Sequence, residues 1–89
     1  MRFIWSGDAL DTLPPGVEPY QVMWALVGPR LRDWLTSEVL ALHACHREMY
    51  VVVFVAETDD ADEWEIEGVR RMLPPEIARY RKLVGGIDE

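Results

Sequence analysis

The sequence predicts an α+β domain: a short first strand, two helices, a three- to four-stranded antiparallel sheet and a C-terminal helix, with the helices on one face of the sheet. Three observations carry this. Apolar residues recur at helical spacing over 19–27, the period changes to two from Leu31 onward, and Pro74-Pro75 opens a second helical pattern. With 89 residues the chain forms one domain over 1–89, and residues 85–89 are expected to be a flexible tail.

Each element has a local reason. Arg2–Trp5, "RFIW", reads as a brief strand. Ser6 or Asp8 caps a short helix holding Ala9, Leu10 and Leu13, and "PPG" at 14–16 breaks it. Pro19 suits the first turn of a second helix, with Val22, Met23, Leu26 and Val27 on its inner face. Gly28 is expected as a left-handed cap, with Pro29 as a block behind it. Leu31–Thr36 and Val39–His46 alternate as strands, and "REM" turns the chain. Met49–Ala56, "MYVVVFVA", is apolar and β-branched enough for a buried central strand. The acidic "ETDDAD" is a solvated hairpin connection. Glu63–Arg71 is the last strand, and Gly68 marks a bulge within it. In the final helix Ile77, Tyr80 and Val84 (or Leu83) face inward, Arg79 and Lys82 face water, and Gly85-Gly86 ends the helix.

Composition narrows the function classes. The single cysteine, Cys45, forms no intramolecular disulfide, which fits a reducing cytoplasm. The longest apolar run is too short to span a bilayer, and the N-terminus does not read as a signal peptide. A formal net charge of −7 opposes nucleic acid and anionic membrane on encounter. The charge is uneven, however. Residues 57–68 hold seven carboxylates and no base, whereas 69–82 hold five bases and one acid.

That basic segment comprises Arg70, Arg71, Arg79, Arg81 and Lys82. It reads either as a strand end plus a solvated helix face or as a phosphate-contacting patch. "HACH" at 43–46 puts two imidazoles and a thiol close together. On a strand His43 and Cys45 share a face while His46 points away. Zinc needs a second ligand pair that the sequence does not supply, so no metal and no cofactor are expected. A Cys–His nucleophile lacks an orienting third group. The acidic hairpin lacks the glycine and distal glutamate of a calcium loop. Four tryptophans serve the core for the most part, and one or two left exposed would mark a surface for a partner or a second copy.

"WEIEGVRRMLPPEIARYRK" at 64–82 resembles the C-terminal signature of BrnT-type toxins, RelE-like ribonucleases of type II toxin–antitoxin systems. In that family a last strand ending in Ile-Ser-Ala-Arg-Arg enters a Thr-Pro turn and a helix rich in Glu, Arg and Tyr. "RFIW", "PPGVEPYQVMWAL" and "YVVVFVAE" are similar to its first strand, its turn and second helix, and its central strand. The resemblance implies a RelE/BrnT-like fold, an antitoxin-like protein partner and RNA as substrate. It implies that Arg70 and Arg71 hold phosphate, that His43 or His46 moves a proton, and that Tyr80 or Arg81 supports from the helix. Arg79 and Lys82 complete the implied RNA-binding surface. The departures are specific. Pro14-Pro15 stands where the family carries Lys-His, and Gly68 stands where it carries serine. A basic residue expected on the middle strand corresponds to His43 or Arg47. With an acidic surface, this implies a member that acts mainly through its partner, with ribonuclease activity weakened or lost. Two alternatives stay open: an active mRNA-cleaving toxin, and a small cytoplasmic interaction domain unrelated to toxins.

Overall fold

The computed structural model describes residues 1–84, so the expected tail over 85–89 and the Gly85-Gly86 helix stop lie outside the described residues. The elements run β1 (Arg2–Trp5), α1 (Gly7–Asp11), α2 (Pro19–Val27), β2 (Leu31–Trp34), β3 (Val39–His46), β4 (Met49–Glu57), β5 (Glu63–Arg71) and α3 (Pro74–Leu83). The α+β class is as expected, but the sheet is larger than predicted. It has five strands in the order β1-β5-β4-β3-β2, and it is mixed because β1 pairs in parallel with β5. A four-residue edge strand carries too little periodicity to announce its partner, and only the register of the whole sheet places it.

The helices do not share a face. Val22, Ala25 and Leu26 of α2 and Ala9 of α1 pack on Leu42, Val53 and Ile66. Tyr80 and Ile77 of α3 pack with Ala41, Val52 and Met72 on the opposite side. The reason lies in β3 and β4, which are buried on both faces. A sheet apolar on both sides needs a cover on each.

Local chemistry explains the joints. The Ser6 hydroxyl accepts from the Ala9 N–H at 3.1 Å and caps α1. Pro19 opens α2, and the Gln21 side chain accepts from the Glu18 N–H at 2.9 Å. Gly28 does not adopt the left-handed cap expected of it. Its φ is −81° and its ψ −168°, an extended conformation. Pro29 imposes this, because a residue before proline is pushed out of the helical region. Among the described residues Gly16 is the glycine that uses positive φ, at +81°, and a Cβ there would meet the Arg71 guanidinium at 3.2 Å. Gly16→Ala is therefore expected to cost about 1–2 kcal/mol, whereas Gly28→Ala should stay within about 0.5 kcal/mol. Urea midpoints of the two variants check the contrast.

The β3–β4 hairpin turns on two residues, Arg47 at φ 50° and Glu48 at φ 67°. Left-handed conformations at both positions match a type I′ turn, whose twist suits a two-residue hairpin. In β5 the register slips by one: Phe54 faces Gly68 while Val55 faces Ile66, leaving Glu67 as the extra residue. The bulge expected at Gly68 thus centres on its neighbour. It also decides which arginine goes where. Ile66 and Val69 both join the core beneath α2, so Arg70 falls on the α3 face and Arg71 on the other.

Val27 departs from expectation. It was expected to face inward, yet it is 77% exposed, because the inner stripe of α2 is only wide enough for Val22, Ala25 and Leu26. Trp24 and Trp34 are also exposed, while Trp5 and Trp64 are half-buried against the core. Trp34 and Trp64 lie on strands separated by two others, yet their rings approach to 6.1 Å across the twisted sheet.

Candidate functional site

On the face beneath α3, five side chains form a line in which two arginine–carboxylate pairs flank a histidine. Arg79 of α3 donates to both Asp33 oxygens, at 2.9 and 3.4 Å. Asp33 Oδ2 lies 3.7 Å from His43 Nδ1. On the far side of the ring, His43 Nε2 lies 3.6 Å from Glu76 Oε2. Glu76 accepts two hydrogen bonds from Arg70, at 2.7 and 2.8 Å.

Backbone geometry assembles this line. Leu31 faces His43 across β2–β3, His43 faces Val52, and Val52 faces Arg70, so His43 and Arg70 occupy one transverse row of the sheet. Asp33 sits two residues along β2 from Leu31 and so shares its face. Pro74-Pro75 opens α3 so that Glu76 falls in its first turn, where its Oε1 also accepts the Leu73 N–H at 2.7 Å. The Arg70 guanidinium lies 5.7 Å above the Phe54 ring.

The electrostatics follow from this geometry. Arg70's two hydrogen bonds hold the Glu76 carboxyl well below the usual carboxylate range, at about 2, against the opposing effect of partial burial. The same bonds raise the Arg70 guanidinium above its ordinary value. His43 is only 6% exposed, and its Nδ1 has no hydrogen-bond partner among the described residues. Both carboxylates stand beyond hydrogen-bond length from the ring, close enough for strong attraction to an imidazolium.

The remaining expected site residues lie elsewhere. His46 is on the other side of β3, with its ring stacked on Trp24 at 6.4 Å and 19°. The Tyr80 hydroxyl donates to the Pro29 carbonyl at 2.9 Å, and burial raises its pKa. Arg81 Nε donates to the Tyr50 hydroxyl at 2.8 Å. Arg71 reaches the opposite face and donates to the Pro15 carbonyl at 3.0 Å. Lys82 is exposed on α3. The structure therefore brings His43, Arg70 and Arg79 together and sets His46, Arg71, Arg81 and Lys82 apart from them. Arg79 faces water as expected, and its exposed guanidinium also pairs with Asp33.

Two carboxylates complete the site without having been singled out for it. Glu76 was legible as the one acid inside the basic segment. Asp33 had no signal, since its neighbourhood depends on the β2–β3 register. Among the described residues no group of histidine, cysteine and carboxylates is placed to hold a metal ion. No helix among them is long and apolar enough to cross a membrane.

Chemically, the line places an imidazole between two carboxylates and fastens α3 to β2 and β5 through Arg79–Asp33 and Arg70–Glu76. It does not offer Arg70 or Arg79 freely to a phosphate, because each guanidinium fork already holds a carboxylate. Comparison with protein-family models, curated protein sequences and solved structures yields no match to this chain.

Proposed function

We propose that the protein is a divergent BrnT-like relative of the RelE-type toxins that acts in the cytoplasm mainly through an antitoxin-like protein partner, with ribonuclease activity weakened or lost. One observation carries this reading: Arg70 and Arg79, the basic groups nearest the buried histidine, are both engaged by carboxylates of the same chain. A phosphate would have to displace Glu76 from a two-bond pair before Arg70 could bind it. The order strand, helix, helix, sheet and C-terminal helix supports the family part of the reading. Pro14 and Pro15, on the opposite face, supply neither a proton nor a cation.

The partner role is tested by coexpression with the product of the adjacent reading frame. Copurification as a stable complex is expected, and a strictly monomeric protein with no copurifying partner would count against it. The runner-up, an active RNA endonuclease, draws support from Arg70 and His43 sharing one row of the sheet. It predicts growth arrest and RNA cleavage on induction, both abolished by Arg70→Ala. Intact RNA at high protein concentration is the outcome expected here.

A further inference from the structure

We propose that the outer face of α2 and the cleft at its C-terminal end receive an acidic amphipathic helix of the partner, its aliphatic side chains against Tyr20, Trp24 and Val27 and a carboxylate on Arg30. This rests on the partner-binding reading above and gives that partner a chemistry and a place.

The apolar part comes from helix geometry. Tyr20, Trp24 and Val27 follow each other at spacings of four and three, so they form one ridge along α2. They are 61%, 60% and 77% exposed. Large apolar groups in such a row, on a helix whose other side is already packed, are the signature of a surface that a second helix covers. The ridge runs into a cleft of about 560 Å³ whose walls include Val27, Met23, Leu26 and Phe3.

The charge comes from Arg30, at the cleft's rim. Its guanidinium is held 5.6 Å over the Phe3 ring. Among the described residues it has neither a hydrogen-bond acceptor nor an ion-pair carboxylate, and neither has its neighbour Arg32. Arg2, on the same cleft, is by contrast neutralised by Asp60 at 2.8 Å. Burial, and then the charge of Arg32, lower the Arg30 pKa, so the site disfavours a lone cation. Sixteen acids against nine bases leave many carboxylates in this chain, yet none among the described residues pairs with either of these two arginines. A carboxylate brought by a partner offsets both the burial and the repulsion.

The same charges argue against a second copy as the occupant. A two-fold contact through this ridge puts the same unneutralised arginines on both sides of one interface. An anionic membrane is disfavoured by the net charge of −7.

Two synthetic amphipathic helices test the proposal: one with leucines flanked by glutamates, the other with the same leucines flanked by lysines. Binding is followed by peptide fluorescence anisotropy. The glutamate helix should bind about tenfold or more tightly than the lysine helix. The double variant Arg30→Glu, Arg32→Glu should reverse that preference. Val27→Asp, at an exposed position that folding tolerates, should weaken both by about tenfold. Equal binding of the two helices, or no response to Val27→Asp, overturns the proposal. A concentration-dependent homodimer abolished by Val27→Asp also overturns it, in favour of a second copy. If a copurifying partner is retained by Val27→Asp, the cleft is wrong while the partner-binding reading stands. If the unaltered protein has no partner, that reading fails, and the peptide comparison still decides the cleft.

Discussion

Tyr80→Ala is expected to lower the unfolding free energy by about 3–5 kcal/mol, the range for deleting a buried aromatic side chain. Tyr80 is the one buried residue of α3. It packs edge-on to Tyr50 with ring centroids 5.9 Å apart, and its hydroxyl ties α3 to the loop before β2. The rest of α3's attachment is charged or half-buried, so little apolar surface remains to hold the helix once Tyr80 is gone. Tyr80→Phe should cost only about 1 kcal/mol, because it removes the hydrogen bond and keeps the ring. Urea unfolding at neutral pH compares the two. Similar losses for both would mean that the hydroxyl, and not the ring, fastens the helix.

Glu76→Gln should have two effects. The first is a loss of about 1–2 kcal/mol, discounted because water reaches the Arg70 side of the pair. This loss depends on pH, and the sign follows from the direction of the shift. Glu76 titrates at about 2 in the folded protein, below the usual value near 4.5. Its contribution is therefore present above pH ~4.5 and disappears as the pH falls from there towards ~2. Stability of the native protein should drop through that window more steeply than that of Glu76→Gln, and the two curves should converge at the acid end. The second effect is on RNA. Removing one negative charge and opening the Arg70 fork should strengthen single-stranded RNA binding by several-fold at low salt, with a steeper salt dependence. Fluorescence anisotropy at two salt concentrations measures this. Unchanged affinity would remove Glu76 as the group that shields Arg70.

Periodic segments were readable from sequence, and their spatial partners were not. Val39–His46 and Glu63–Arg71 have the bounds their alternation predicts, and Pro19 and Pro74 open the helices assigned to them. Those features are local, so neighbours along the chain encode them. The parallel place of β1, the opposite side taken by α3 and the outward turn of Val27 are set by what lies across the sheet. The candidate site divides in the same way. Arg70 and His43 stood out by type and position. Their pairing with Glu76 and Asp33 depends on a one-residue bulge at Glu67 and on the β2–β3 register, neither of which a linear pattern carries. Had the bulge been absent, Arg71 would face α3 and Arg70 would lie beneath the α1–α2 loop.

The parallel pairing of β1 with β5 also bears on how the chain is made. Phe3 pairs with Trp64 and Trp5 with Ile66. During synthesis β1 leaves the ribosome before its strand neighbour β5 exists, and β5 cannot cover Phe3 and Trp5 until about sixty further residues have emerged. The β3–β4 hairpin can form early from adjacent residues, whereas closure of the sheet edge must wait for the longest loop in the topology. A pause in translation before β5 would therefore leave a nascent chain with an ordered hairpin and a bare aromatic strand. An unpaired aromatic strand of that kind is the sort of surface that invites chaperone capture or aggregation.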